Sequence, residues 1–100
     1  MIQVIESQSA IVVAGHSRYA PPGQDIVCAA VSALVQTLAL SLNRWVPGQV
    51  KCFIDSGIAI FHYPFLNEKS RILIRSFLLG MEAIAEAYPG NIAVTRRGSQ

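Results

Sequence analysis

A histidine and a cysteine in the first third of the chain have the types and the spacing for thiol chemistry. His16 precedes Cys28 by twelve residues, and a segment of that length reaches about 40 Å when extended. The segment can therefore fold back and bring the imidazole to the sulfur. Since an ordinary thiol is mostly protonated at neutral pH, a cysteine nucleophile needs such a base. Spacing alone leaves open the alternative that His16 only caps a strand end on a surface loop.

The residues before the cysteine predict that it lies in the first turn of a helix. Asp25 is a favoured N-cap type, and good helix formers follow it over residues 26–45 until Pro47-Gly48 ends the run. Unpaired backbone N–H groups and the positive end of the helix dipole favour a thiolate at Cys28. The Asp25 carboxylate opposes this effect, but less so where it is used in capping. We expect a net activation of the thiol.

Helical geometry places the cysteine on the polar side of this helix. At about 100° per residue, it shares a stripe with polar or small residues, while apolar residues occupy the other side. The polar stripe holds Cys28, Ser32, Gln36, Ala39 and Asn43, and the apolar side holds Val27, Val31, Leu34, Leu38 and Trp45. A structural cysteine more often lies on the apolar face. The residues alone leave a reactive thiol and a packing role about equally open.

The elements around this helix follow from periodicity and turn residues. We predict strands over residues 2–6, 10–14, 50–55, 58–63 and 91–96, a loop over 15–25, and a second helix from an N-cap at Asn67 to about Tyr88. The order β-β-α-β-β-α-β predicts an α/β sandwich of the α+β type, with two helices packed on a sheet of about five strands. We find no repeat or linker, so we expect one domain over residues 1–100.

The loop between the histidine and the cysteine has features of a lid. Gly15 and Gly23 are conformationally permissive and could act as hinges, and Pro21-Pro22 stiffens the span between them. A lid that closes over an extended peptide would position His16 and exclude water. The alternative is an ordinary surface loop whose glycines serve its turns.

Composition restricts the class of protein. Hydrophobic residues make up 52% of the 100 residues and charged residues 14%, which is more apolar surface than a small monomer can bury. We therefore expect a homodimer. The net charge of +2 is low and the basic residues are scattered, so we expect no direct contact with nucleic acid. We interpret the terminal pair Arg96-Arg97 as solvated.

The sequence also predicts a soluble, cytoplasmic protein without membrane contact. The N-terminus lacks the basic and apolar regions of a signal peptide, and uninterrupted apolar runs stay below the roughly 18 residues of a spanning helix. In a reducing cytosol both cysteines are expected to be free thiols.

Four other features receive structural interpretations. Cys52 alternates with apolar residues on a predicted strand, so we expect it in the core, and His62 is expected to be structural or on the surface. The histidines and cysteines do not have the spacing of a zinc site. Gly80 in the second helix could permit a close helix contact, within the chain or across a dimer. The last feature is the solvated face of that helix, formed by Arg71, Arg75, Glu82 and Glu86.

The segment from Gly15 to Leu34 has the pattern G-H-x6-G-x-D-I-V-C-A-A-V-S-x-L. It resembles the signature of the ribosomal-processing cysteine proteases called Prp. The length of the chain and the order of its elements are also similar to those of that family. Ser17 stands where alanine is usual after the histidine, and we assign that position no chemical role.

The resemblance implies an endopeptidase with Cys28 as nucleophile and His16 as base. Its implied substrate is the precursor of large-subunit ribosomal protein L twenty-seven, from which such enzymes remove an N-terminal extension. It also implies a homodimer that packs through its helices, and neither metal nor organic cofactor. Asp25 and Ser32 would be supporting residues, and backbone N–H groups at the start of the first helix would bind the oxyanion.

Two other functions remain open from the residues. One is a non-catalytic, dimeric, ribosome-associated adaptor in which Cys28 is inert. The other is a different thiol enzyme, for acyl transfer or redox chemistry. A redox role is disfavoured because the sequence has no C-x-x-C pair.

Overall fold

The computed structural model describes residues 1–96 and confirms the predicted order of elements. The elements are β1 (Ile2–Glu6), β2 (Ala10–Ala14), α1 (Ile26–Trp45), β3 (Lys51–Asp55), β4 (Ile58–His62), α2 (Glu68–Ala87) and β5 (Ile92–Arg96). The predicted fold class is confirmed, since two helices pack on a five-stranded sheet. Arg97 lies outside the described residues. Arg96 is paired rather than merely solvated, because its Nε lies 3.2 Å from Glu6 Oε1 and 3.6 Å from Glu82 Oε2.

The sheet is mixed, with the strand order β3-β4-β2-β1-β5. β1 and β5 run parallel, and the other neighbouring pairs are antiparallel. The register pairs Ala14, at the end of β2, with Ile58 at the start of β4. The loop that follows β2 therefore begins beside the β3–β4 turn, where the Gly15 N–H donates to Gly57 O at 2.9 Å. Topology alone brings His16 to this end of the sheet.

Helix α1 begins where the sequence predicts because Asp25 caps it. Oδ1 of Asp25 accepts from the N–H groups of Val27 and Cys28 at 3.0 and 2.9 Å, which satisfies two otherwise unpaired donors. The buried side of the helix consists of Val27, Val31, Val35, Leu38 and Leu42. The placement of Trp45 on that side was wrong, since it is 56% exposed under the Arg44 guanidinium and Val46 is buried instead.

Helix α2 is fixed at its start by a capping box. Asn67 Oδ1 accepts from the Ser70 N–H and Ser70 Oγ accepts from the Asn67 N–H, both at 2.9 Å. Farther along, a Cβ on Gly80 would lie 2.9 Å from Leu34 Cδ1 of α1. The close contact expected at this glycine is therefore a contact between the two helices of one chain.

Strand β3 is an edge strand, and all five of its residues are exposed. The expectation that Cys52 lies in the core was wrong, because the side chain is exposed. Its partner across the ladder, Phe61, is fully buried. The two differ because β3 has a neighbouring strand on one side only, so fewer atoms cover its side chains than cover those of β4.

By length and composition alone, α1 is apolar enough to cross a membrane. In the structure its apolar side instead packs into the core with the sheet and α2. The core helix of a soluble domain meets the same criteria of length and hydropathy.

Candidate active site

Cys28 lies at a cavity of about 350 Å³ at the end of the sheet where β2 terminates. Three parts of the chain form its walls: the first turns of α1, the residues that follow β2, and the β3–β4 turn. The polar side chains among its lining residues are His16, Cys28, Ser32, Gln36, Asp55 and Ser56. The structure therefore brings the predicted nucleophile, the predicted base and the predicted supporting residue Ser32 to one cavity. A larger cavity of about 780 Å³ lies at the opposite end of the sheet, lined by residues that include Glu6, Tyr63 and Arg71.

The imidazole of His16 lies over the β3–β4 turn. Its Nε2 is 2.9 Å from the position that a Cβ on Gly57 would occupy, so the glycine leaves room for the ring. Gly15 has a similar constraint, because its φ is +103° and a Cβ there would lie 2.5 Å from Met1 O. Within residues 1–96 no hydrogen bond joins His16 to Cys28, although both face the same cavity.

The thiol of Cys28 contacts Ser17 instead. Ser17 Oγ lies 3.3 Å from Cys28 Sγ and is also hydrogen-bonded to Asp25 Oδ2. Ser17 is buried, with 2% of its surface exposed. A buried hydroxyl thus links the helix cap to the sulfur. Sequence reasoning noted Ser17 but assigned it no chemical role, because one serine in a loop carries no periodic or spacing signal.

Hydrogen bonds hold the Asp25 carboxylate in its ionised form. Partial burial raises its pKa, but the Ser17 hydroxyl and the backbone N–H groups of Cys28, Tyr19 and Ala20 outweigh that effect and lower the pKa to about 2. These donors favour the charged carboxylate over the neutral acid. Asp25 therefore remains an acceptor-only group at neutral pH.

The first half of the loop is tied down at several points. Asn91 Nδ2, just before β5, donates to Ser17 O at 3.0 Å, and the Tyr19 ring packs edge-on against Tyr88 with 5.4 Å between the ring centroids. Arg18, between them, has a φ of +58°, a left-handed conformation that is costly for a residue with a Cβ. Ser17 and Tyr19 can consequently both turn towards Asp25.

The second half of the loop has fewer contacts. Pro21, Pro22, Gly23 and Gln24 are exposed, and a Cβ on Gly23 would have no atom within 4 Å although its φ is +86°. A single turn bond, from the Gln24 N–H to Pro21 O at 3.0 Å, closes this part. The loop therefore consists of an anchored segment that carries Ser17 and an exposed segment around Gly23.

Three of the N–H groups at the start of α1, which were the expected oxyanion donors, are hydrogen-bonded to Asp25. The N–H groups of Val27 and Cys28 donate to Asp25 Oδ1, and the Ala29 N–H donates to Asp25 O at 3.1 Å. The cap that starts the helix therefore occupies donors that the resemblance assigns to the oxyanion. The side chains of Ser32 and Gln36, one and two turns after the cysteine, line the cavity and are exposed.

Neither Cys52 nor His62 lines this cavity. Desolvation by the atoms around it raises the pKa of the Cys52 thiol although the side chain is exposed, which opposes thiolate formation. His62 is exposed at the end of β4. Within the described residues no group of three or more histidine, cysteine, aspartate or glutamate side chains could hold a metal ion.

The family described as cysteine protease Prp matches residues 1–93. This chain belongs to the Prp family. It is 30% identical over 89 residues to the ribosomal processing cysteine protease Prp of Bacillus subtilis (strain 168), which covers 81% of this chain and 79% of that protein. It is 26% identical to the Prp of Mycoplasma genitalium, over 94% of each chain. The resemblance seen in the segment around Cys28 is confirmed.

Solved structures show the same fold. Prp from Staphylococcus aureus, in complex with a covalently linked product peptide, has a TM-score of 0.89 at 21% identity and covers 96% of this chain and 99% of its own. The protein SMU.848 from Streptococcus mutans has a TM-score of 0.80 at 28% identity, over 99% and 96% of the two chains. Membership of the Prp family makes this chain a cysteine-type peptidase of the ribosomal processing class.

Proposed function

We propose that this peptidase uses Cys28 as nucleophile and His16 as base to remove the N-terminal extension of ribosomal protein L twenty-seven. The observation that carries the proposal is that both side chains line one cavity at the start of α1. The Prp relatives are named as ribosomal processing proteases. The S. aureus enzyme has been solved with a substrate peptide and, separately, with a covalently linked product peptide, which supports a peptide as the ligand of this cavity.

The reaction follows from thiol chemistry. His16 takes the proton of Cys28, and the sulfur attacks the scissile carbonyl carbon to give a tetrahedral oxyanion. The oxyanion collapses as the C–N bond breaks, and His16 returns the proton to the leaving amine. Water then hydrolyses the thioester and restores the thiol. These steps use no metal and no organic cofactor.

We assign the binding of the oxyanion to side-chain donors. Because Asp25 takes the N–H groups of Val27 and Cys28, the hydroxyl of Ser32 and the amide of Gln36 are the polar groups of α1 that line the cavity beside the sulfur. Asp25 acts on the reaction indirectly, by capping the helix that carries Cys28. Ser32 supports the site as an oxyanion donor, which is a more specific role than the sequence suggested.

The loop would close over the bound peptide with Gly23 as its free hinge. Gly15 is the other proposed hinge, although the contact with Met1 O limits what that position tolerates. We place the enzyme in the cytoplasm as a homodimer, because a ribosomal precursor is found there and because large apolar side chains remain exposed on both helices.

The test is a cleavage assay read by mass spectrometry. Wild-type protein should release one N-terminal fragment from the extended precursor, and Cys28→Ala should release none. His16→Ala should slow cleavage by about 10²- to 10⁴-fold, the usual contribution of a general base. Cys52→Ser is the matched control and should cleave at the wild-type rate. If wild-type protein leaves the precursor intact and Cys28 is unreactive towards alkylation, the proposal fails in favour of the non-catalytic adaptor.

A further inference from the structure

Three side chains form a continuous hydrogen-bonded chain behind the Cys28 sulfur. The Ser17 hydroxyl lies 3.3 Å from Cys28 Sγ and contacts Asp25 Oδ2 on its other side. We propose that Ser17 is a further catalytic residue: its hydroxyl, held by Asp25, binds the Cys28 thiol in its protonated form and positions the sulfur until His16 takes the proton. This inference rests on the proposed role of Cys28 as the nucleophile.

The direction of the hydrogen bonds follows from the hydrogens available. With its pKa lowered to about 2, the Asp25 carboxylate is ionised at neutral pH and can only accept. The Ser17 hydroxyl has a single hydrogen, which the carboxylate takes in the stronger, charge-assisted bond. A lone pair of the oxygen then remains for the sulfur. That lone pair accepts from an S–H group but repels a thiolate.

Formation of the thiolate is therefore coupled to a rotation of Ser17. When the Cys28 proton moves to His16, the Ser17 hydrogen turns from the carboxylate to the sulfur, and the serine keeps its own proton. Asp25 does not become unpaired in this step, because three backbone N–H groups still donate to it. His16 therefore takes the proton from Cys28 against the cost of this rotation.

Three titratable groups of the described residues lie on the elements that meet at Cys28 or at its cavity. They are Asp25 at the helix cap, His16 on the loop after β2, and Asp55 on the β3–β4 hairpin. Ser17 couples the first of these to the sulfur through a direct hydrogen bond on each side. The pH dependence of Cys28 should consequently respond to Ser17 in the absence of any substrate.

The test measures the alkylation rate of Cys28 by iodoacetamide between about pH 5 and about pH 10, the range in which cysteines ionise. Ser17→Ala removes the acceptor of the S–H group, so the midpoint of the rate profile should move to lower pH. At neutral pH alkylation should become about three- to tenfold faster, the effect of losing one hydrogen bond of ordinary strength from the protonated form. An unchanged midpoint, or a shift to higher pH, would overturn the proposal.

Two comparisons separate this effect from damage to the fold. Ser17→Thr keeps the hydroxyl and should restore the wild-type midpoint, whereas Ser41→Ala, near the other end of α1, should not move it. Cys52, alkylated in the same sample, is the internal reference. In cleavage, Ser17→Ala should lower kcat with KM unchanged, because the sulfur and not the peptide is misplaced.

A double-mutant cycle tests the link to Asp25. Asp25→Asn removes a negative charge and frees the Ser17 hydrogen for the sulfur, so it should also lower the midpoint. In the Ser17→Ala background only the charge effect of Asp25→Asn remains. The midpoint of the double variant should therefore shift by less than the sum of the shifts of the two single variants. Additive shifts would show that Ser17 does not link Asp25 to the sulfur. These profiles need no substrate, so their failure is distinct from a failure of Cys28→Ala to abolish cleavage.

Discussion

One carboxylate connects the start of the helix, the loop and the sulfur. Oδ1 of Asp25 caps α1 through two backbone N–H groups, and Oδ2 accepts from Ser17 and from the Tyr19 N–H at 3.1 Å. Its cap occupies the N–H groups of Val27 and Cys28, and its Oδ2 is hydrogen-bonded to the hydroxyl beside Cys28. Asp25 thus contacts the start of the helix and the loop directly, and the sulfur through Ser17.

The stability supplied by Asp25 should be lost in acid. Its folded-state pKa of about 2 is below the ordinary value of 3.8, so the unfolded chain binds the proton more readily. The contribution is complete above the ordinary value and disappears as the pH falls through about 2. We compare the thermal midpoints of the wild type and Asp25→Asn, whose amide also caps a helix.

The difference between these two midpoints should be constant above about pH 5 and shrink between about pH 5 and pH 2, the range over which such a carboxyl titrates. A difference that persists unchanged to the acid end would contradict the role of this carboxylate.

For single residues, the sequence predicted the roles that depend on residue type and local spacing. Asp25 was found as a cap because capping acts over three residues, and the side of α1 on which Cys28 lies followed from helical periodicity. Ser17 was assigned no chemical role, because its partners lie 8 and 11 residues away across a loop. Only the fold of that loop brings them together.

The elements differ in how firmly they are held. α1, α2 and the anchored part of the loop have caps and buried contacts, while the segment around Gly23 is exposed. The starts of both helices were predictable from Asp25 and Asn67, whose side chains bond within their own first turns. The exposure of Cys52 was not predictable, because the alternation of residues along β3 does not reveal that the strand lies at the edge of the sheet.

Replacement of Gly23 by valine tests the hinge. A β-branched side chain opposes a φ of +86° but meets no atom, so the unfolding free energy should fall by only about 1–2 kcal/mol. Turnover of the precursor should fall by about tenfold or more if the loop must close, since misplacement of a catalytic group is costly. Both are measured on the same preparation, by denaturation and by mass spectrometry.

Gly48 provides the matched control. Its φ is +83° and a Cβ there also has nothing within 4 Å, yet it lies in the turn between α1 and β3. Gly48→Val should lose similar stability and keep the wild-type turnover. Equal turnover in the Gly23→Val and Gly48→Val variants would contradict the hinge and show that the loop is an ordinary surface loop.

At the scale of the whole molecule, topology assembles the site. The parallel pairing of β1 with β5 brings Asn91 to Ser17, and the antiparallel pairing of β2 with β4 brings Gly57 to His16. The sequence predicted the element order and the two layers but gave no strand order. Strand order depends on contacts between distant segments, which local periodicity does not record.

The same architecture leaves large apolar side chains uncovered. Leu40 of α1 is 70% exposed, and Leu79 of α2 is 65% exposed. The edge strand β3 carries Phe53, which is 55% exposed. A homodimer could use either surface, and we expect the helices, since both present apolar side chains on their outer faces.

Light scattering after size-exclusion chromatography tests this expectation. Wild-type protein should have the mass of a dimer, and Leu40→Glu should reduce it to that of a monomer, because a charge in an apolar interface loses its solvation without a partner. Phe53→Glu should remain dimeric, since β3 lies outside the proposed interface. A monomeric Phe53→Glu beside a dimeric Leu40→Glu would move the interface to the edge of the sheet, close to the cavity that Ile54 and Asp55 line.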